Sequence, residues 1–296
     1  MPQPDLAQHA KHAQFTSLLG HRIAYWRHGD VGRQTTVVFI HGFPSAAWDW
    51  HNQWQALNKS HALLAMDLLG FGFSDKPHPY RYSIIEQADI VSELCVQQGI
   101  SRCFVVAHDY GNSVAQELLA RQTEHTLPFV IEKLCWLNGG LFAESHRPLL
   151  TQKLLHSPLG PLIVNLMSKG TMARSFSKIF GAATQPKPQE IDILWTLLNH
   201  HHGRRVLPAL LDYLDERQTY RDRWVTAMQQ VAKINRQSLC FINGVHDPIS
   251  GKHMLDQFRR CVPEAETVAL DVGHYPQLEV PHEVNNALIA FLNADK

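Results

Sequence analysis

Short apolar runs and longer stretches of helical periodicity alternate through the first half of the chain. Residues 36–40, 62–66 and 103–107 are, Thr36 apart, apolar runs too short for a helix and bounded by turn formers, so they read as strands covered on both faces. Residues 45–57, 83–97 and 110–121 carry apolar positions at helical spacing and read as the helices between and after them. The opening differs: residues 14–25 read as two strands joined near Gly20, an antiparallel entry into the sheet. A further strand is expected at 132–137, and after Asn138-Gly139-Gly140 the pattern changes. From 142 to 234 the periodicity is helical throughout, punctuated by Pro148, Pro158, Pro161, Pro186, Pro188 and Pro208. Strand signals resume at 238–243 and 267–270 around a helix at 252–260, and a helix at 281–292 closes the chain. These elements predict an α/β fold: a mostly parallel central sheet with helices on both faces, its core formed by residues 1–141 and 235–296, and a helical cap inserted at 142–234.

Composition narrows the class of function. A chain of 296 residues with 45% hydrophobic content can bury one large α/β domain with an insertion. Lysine plus arginine balance aspartate plus glutamate at 27 each, and no basic stripe is interleaved with aromatics, so nucleic acid is not an expected partner. No long uninterrupted apolar run and no signal-like N-terminal core is seen, which leads to the expectation of a soluble, cytoplasmic protein without a membrane segment. Five cysteines without CxxC spacing, in settings such as Leu134-Cys135-Trp136, read as reduced core residues. What remains is chemistry on a small apolar molecule.

The segment from Phe104 to Gly111 supplies a candidate for that chemistry. An apolar strand runs into His108-Asp109-Tyr110-Gly111, and small Ala107 and Gly111 permit the sharp strand-to-helix turn that lifts one side chain above the sheet edge. An aspartate in that position, with an ordinary pKa of about 3.9, is already an anion at neutral pH and needs no base before attacking. Farther on, Asp247 follows one apolar strand and His274 follows the next. Nucleophile, acid and histidine thus appear in an order that places each on a loop at the carboxyl end of a different strand. The turn His41-Gly42-Phe43-Pro44 after the first long strand offers the backbone N–H of Phe43, partnered by that of Tyr110, as an oxyanion hole.

With H-G-F-P at 41–44, H-D-Y-G at 108–111 and H-Y-P-Q-L-E at 274–279, residues 41–292 resemble the α/β-hydrolase superfamily, and within it the branch of epoxide hydrolases and haloalkane dehalogenases. The resemblance implies attack by Asp109 on a saturated carbon to form an alkyl ester, which water activated by His274 and Asp247 then hydrolyses, without metal or organic cofactor. Elementary chemistry agrees, since attack on a carboxylic ester would make a mixed anhydride more reactive than the starting ester. The dehalogenase pattern has tryptophan after the aspartate and usually asparagine after H-G; here Tyr110 and Phe43 stand there, which favours an epoxide over a halide. Epoxide hydrolases protonate the ring oxygen from two cap tyrosines. Tyr213 is the candidate for one, and only Tyr220 offers itself for the other. Haloalkane, carboxylic ester and lactone hydrolysis remain alternatives, as does a binding protein without catalysis on the same fold.

Plainer roles compete for several residues. Asp109 and Asp247 could cap helices, and Ser113 in Gly111-Asn112-Ser113-Val114-Ala115 is a rival nucleophile, though it falls a turn inside the helix. His41 and His108 are expected to brace turns, Asp67 and Asp75 to hold a glycine-rich loop, and Trp48, Trp50 and Trp54 to form core or pocket wall. His200-His201-His202 reads as a solvated surface rather than a metal site, because adjacent side chains on a helix diverge. Ester hydrolysis needs neutral His274, so its pH dependence is expected near the ordinary histidine pKa of about 6.5.

Overall fold

In the computed structural model, which describes residues 6–294, eight strands form one sheet: β1 (Gln14–Leu18), β2 (His21–His28), β3 (Thr36–Ile40), β4 (Ala62–Met66), β5 (Arg102–Ala107), β6 (Val130–Leu137), β7 (Leu239–Gly244) and β8 (Glu266–Leu270). The outermost residues of the expected core segments, 1–5 and 295–296, lie outside the described residues. The spatial order is β1-β2-β4-β3-β5-β6-β7-β8. β1 pairs with β2 and β2 with β4 antiparallel, and every later pair is parallel.

The apolar runs are explained by two-sided burial. Val38 and Ile40 of β3 join a core cluster with Ala88, Val91 and Leu94 of the helix Ile84–Gln97 and Val114 and Leu118 of the helix Tyr110–Thr123. Val37 and Phe39 point the other way, into a second cluster with Leu57, Val284, Leu288 and Phe291 from the helices His51–Leu57 and Pro281–Leu292. Each large aliphatic or aromatic side chain so buried contributes roughly 1.5–3 kcal/mol.

Two helical expectations are corrected. The single helix expected at 45–57 is a 3₁₀ turn, Ala47–Trp50, followed by the helix His51–Leu57; Ala46 is still extended, and the first N–H of the turn, from Ala47, donates to the buried carboxylate of Asp67 (2.7 Å). Short helices at Leu6–Lys11 and Pro276–Glu279 were not expected, being too brief to display a period. Ser83 is a cap rather than a helical residue; its hydroxyl accepts the Glu86 N–H.

The site's location follows from topology. From β3 the chain passes to β4 on one side and later to β5 on the other, so the crevice at the carboxyl ends of β3 and β5 is a topological switch point, where open α/β sheets bind ligands. The register Ile40↔Ala107 sets the residues after β3 beside those after β5. Between β6 and β7 the described residues form helices only: Leu150–Leu155, Gly160–Leu166, Lys169–Ser177, Pro188–Asn199, Leu207–Leu210, Tyr213–Thr219 and Arg221–Ile234, with 3₁₀ turns at Ala143–Ser145 and His200–Val206. The last of these helices returns along Tyr110–Thr123, where buried Glu117 accepts bonds from Arg121, Arg223 and Trp224.

Candidate active site

Asp109 follows β5 with φ 46° and ψ −104°, a conformation that costs a non-glycine residue of order 1–3 kcal/mol. Close backbone packing enforces it. A Cβ on Gly111 would lie 2.5 Å from the Ile40 carbonyl oxygen, and one on Gly139 would lie 2.7 Å from the Asp109 Cα. Only glycines let the helix start and the loop after β6 close around the elbow. The Asp109 N–H donates to the Asn138 carbonyl (2.8 Å). Oδ2 of Asp109 accepts the Phe43 N–H at 3.1 Å. Tyr110 opens the following helix, so its N–H belongs to the first turn, which has no helical acceptors. The other oxygen, Oδ1, lies 3.8 Å from His274 Nε2.

His274 donates through Nδ1 to Asp247 Oδ2 at 2.7 Å. Asp247 also accepts the Ile249 N–H, the Ser250 N–H and hydroxyl, and Asn138 Nδ2 at 3.0 Å, so it caps a turn and orients the histidine at once. Burial would push its pKa up, but the charge and hydrogen bond of His274 and these other donors hold it well below the usual carboxylate range. Burial also works against a charged His274, yet the charge and hydrogen bond of Asp247, then the charge of Asp109, raise its pKa to about 9. The expected titration near the ordinary histidine value is therefore corrected upward for the resting site. The loop itself is braced: His108 Nε2 donates to the His274 carbonyl at 2.8 Å, and Glu279 accepts the N–H groups of Gly273, Tyr275 and cap residue Gly181.

The competing residues take structural positions. Ser113 is buried a turn inside its helix, its hydroxyl accepting Arg217 Nε at 2.8 Å. His41 donates to the Gly42 carbonyl and accepts the Leu68 N–H, bracing the turn that carries Phe43. Asp67 accepts the Ala47 and Phe73 N–H groups and Asp75 that of Arg22. Trp48 and Trp50 are buried and Trp54 half-buried. His201 and His202 are exposed, and both have left-handed backbone conformations. Among the described residues no group of three or more histidine, cysteine or carboxylate side chains is placed to hold a metal ion.

Arg217 is the participant that sequence reading missed. It lies on the cap helix Tyr213–Thr219, is fully buried, and donates to the Asp109 carbonyl (3.0 Å) and to Ser113, with its Nη2 4.0 Å from Asp109 Oδ1. Among the described residues no other carboxylate lies within that distance of it. No local signal could have found it, since an arginine between Glu216 and Gln218 reads as helix surface. Tyr213, on the same helix, is buried under the Arg217 guanidinium, 4.4 Å from the ring centroid, with its ring 4.9 Å from that of Tyr110. Burial, then the charge of Asp109, keeps its hydroxyl protonated far above neutral pH against the opposing charge and hydrogen bond of Arg217. It packs beside Phe43 and Tyr110 rather than among the side chains that line the chamber over Asp109.

That chamber has a volume of about 300 Å³. Asp109, His274 and Phe43 form one side, and cap residues such as Leu155, Ile163, Met172, Phe176 and Leu207 enclose the other. A strained carboxylate, a backbone donor on one of its oxygens and a histidine–carboxylate pair on the other side converge on one apolar space.

Known proteins resemble this chain to different depths. The chain is 40% identical over 291 residues to the mesoderm-specific transcript protein of Mus musculus, covering 95% of this chain and 86% of that one. Among solved structures, the haloalkane dehalogenase DatA from Agrobacterium tumefaciens superposes with a TM-score of 0.77 at 20% identity, covering 95% of this chain and 96% of that one. The epoxide hydrolase CorEH superposes with a TM-score of 0.73 at 20% identity, covering 96% and 98%. At that identity the two structures speak for the fold alone. Residues 37–287 match the α/β-hydrolase family, and the chain belongs to it.

Proposed function

We propose that this protein hydrolyses a small alkyl electrophile, an epoxide before any other, through an ester formed on Asp109. The observation that carries the reading is the carboxylate at the elbow: Oδ2 is occupied by the Phe43 N–H, while Oδ1 stands near His274 in the apolar chamber. In the first step Oδ1 forms a bond to a ring carbon as the carbon–oxygen bond of the epoxide breaks, and the departing alkoxide takes a proton from Tyr213 by way of a water, because Tyr213 stands beside Phe43 and does not itself line the chamber. The Tyr213 hydroxyl, held protonated near the Asp109 charge, supports that role. Alkylation removes the Asp109 charge, one cause of the high His274 pKa, and so lowers it; the phenolate left on Tyr213 takes its proton back from the imidazolium by way of solvent, which leaves His274 neutral. Neutral His274 then takes a proton from water as the water oxygen attacks Cγ, with the N–H groups of Phe43 and Tyr110 holding the oxyanion. Release of the diol returns a carboxylate and an imidazolium.

Haloalkane and ester or lactone hydrolysis fit less well, the first for want of halide donors at positions 43 and 110, the second because it passes through an anhydride. A purely binding protein would have no use for the Asp109, Asp247 and His274 constellation. The test is the variant His274→Ala incubated with epoxide, haloalkane and ester panels and followed by intact mass and peptide mapping. A stable adduct should form from epoxides on the peptide holding Asp109 and none should form in His274→Ala/Asp109→Asn. An adduct on Ser113, or none with any panel, would end the proposal.

A further inference from the structure

The cap bears a feature that hydrolysis of a small electrophile does not use. The helices Leu150–Leu155 and Gly160–Leu166 pack on each other and turn leucines outward. Leu150, Leu154, Leu159, Leu162 and Leu166 are 71, 41, 59, 61 and 74% exposed. Leu150 and Leu154, and likewise Leu162 and Leu166, are four residues apart and so share one face of their helix. Scattered single leucines need no explanation, but a cluster of this kind marks a surface that meets something apolar. Leu154 and Leu166, exposed though they are, also line the chamber over Asp109 and His274. The leucine face is therefore continuous with the entrance to the site.

Charge says what it meets. From Ser145 to Gln189 the chain has no aspartate or glutamate, while Arg147, Lys153, Lys169, Arg174, Lys178 and Lys187 all fall there, in a protein whose overall charges balance. Lys153 is exposed between Leu150 and Leu154. The carboxylates that reach these helices come from other segments: Asp192 pairs with Lys169, and Asp212 and Asp215 face His156. A second copy of the chain seated symmetrically on this face would oppose two basic segments, which like-charge repulsion disfavours.

We propose that the leucine face docks on an anionic lipid surface, the leucines entering the headgroup region while Lys153 among them meets a lipid phosphate and the other basic residues of the acid-free segment add their attraction, and that the chamber takes an apolar substrate from that surface. Among the described residues no helix is long and apolar enough to cross a membrane, so the contact is that of helices lying in the interface. The proposal uses the chamber but not the chemistry at Asp109, so the two stand or fall separately.

Flotation with phosphatidylcholine vesicles, with and without phosphatidylglycerol, tests it directly. The full chain should bind the anionic vesicles at least about tenfold better than neutral ones, and lose that advantage in high salt. Leu150→Glu/Leu162→Glu, which changes exposed residues outside the chamber lining, should lose at least about tenfold in vesicle binding while keeping its melting temperature and its rate on a dissolved short-chain substrate. Lys153→Glu should weaken binding to anionic vesicles by about fivefold or more. Failure to bind anionic vesicles, or equal binding by the double leucine variant, would overturn the proposal. So would light scattering that showed a dimer dissociated by the leucine substitutions, which would assign the face to a second copy.

Discussion

Below the chamber Asp247 receives five donors, from Ile249, Ser250 twice, Asn138 and His274, whereas above it Leu155, Ile163, Met172, Phe176 and Leu207 offer hydrocarbon. Directional bonds on the sheet side hold charged groups in one geometry, so the reaction class is set there. Apolar packing on the cap side discriminates by volume and shape, and a methylene more or less is worth only about 1–3 kcal/mol. The reaction class and the substrate are thus written in different physical terms. Arg217 is where the two regions meet, a cap residue that donates to the backbone carbonyl of Asp109 itself.

Arg217→Met breaks that joint and carries the largest expected effect. Removing the cation leaves the Asp109 carbonyl and the Ser113 hydroxyl without their partner, and we expect a stability loss of roughly 3 kcal/mol with a fall in kcat of about a hundredfold that exceeds any rise in KM. Calorimetry together with steady-state kinetics checks this. Equal changes in kcat and KM, or an unaltered kcat, would reduce Arg217 to a packing residue.

The pH dependence sharpens the comparison by isolating the sheet side. In the resting site His274 is held protonated up to about 9 by Asp247 and Asp109 against the effect of burial; esterification removes the Asp109 contribution, so its pKa in the intermediate is lower than in the resting site. Ester formation needs only ionised Asp109 and should stay flat from about pH 5 to 8, while ester decay should rise about tenfold per unit below the histidine pKa of the intermediate. Rapid-quench measurement of adduct formation and decay gives both limbs. A single titration common to formation and decay would mean that the histidine activates the nucleophile.

Ile163→Ala probes the cap side and should do least. The enlarged chamber is expected to raise KM for the shortest substrates by roughly tenfold or less, improve longer ones, and leave kcat for either within about twofold. A loss confined to kcat, across a series of chain lengths, would show that the cap helps to align the chemistry.

How far each region could be read from sequence follows the same division. Asp109, Asp247, His274 and the turn at Phe43 each stand immediately after an apolar strand run, so local pattern and chain order sufficed to bring them together. The all-helical nature of the cap was legible from its periodicity, but its packing was not. Arg217 looks like any helix-surface arginine until the helix is docked, and Glu279, inside a recognised motif, braces its own loop through Gly273 and Tyr275 but ties it to the cap only once Gly181 lies against it. The raised pKa of His274 sums contributions from Asp247 and Asp109, which lie far from it in the chain and meet it only in three dimensions.

Asn138 has a consequence for how the protein ages. Its side chain imitates one more peptide rung beyond the β6–β7 ladder, donating to the Gly244 carbonyl at 2.9 Å and accepting the Gly244 N–H at 2.6 Å, while the same amide nitrogen reaches Asp247. It is followed by Gly139, and asparagine before glycine is the pair most open to cyclisation and deamidation, because no side chain shields the attacking backbone nitrogen. Burial and a fixed geometry restrain that reaction while the fold is closed. Each local opening exposes it, and the product, an aspartate, would set a second negative charge against Asp247 and remove the rung. Prolonged warm, alkaline storage should therefore silence turnover in step with deamidation mapped to the Asn138 peptide, and inactivation that leaves this peptide unmodified would refute the link.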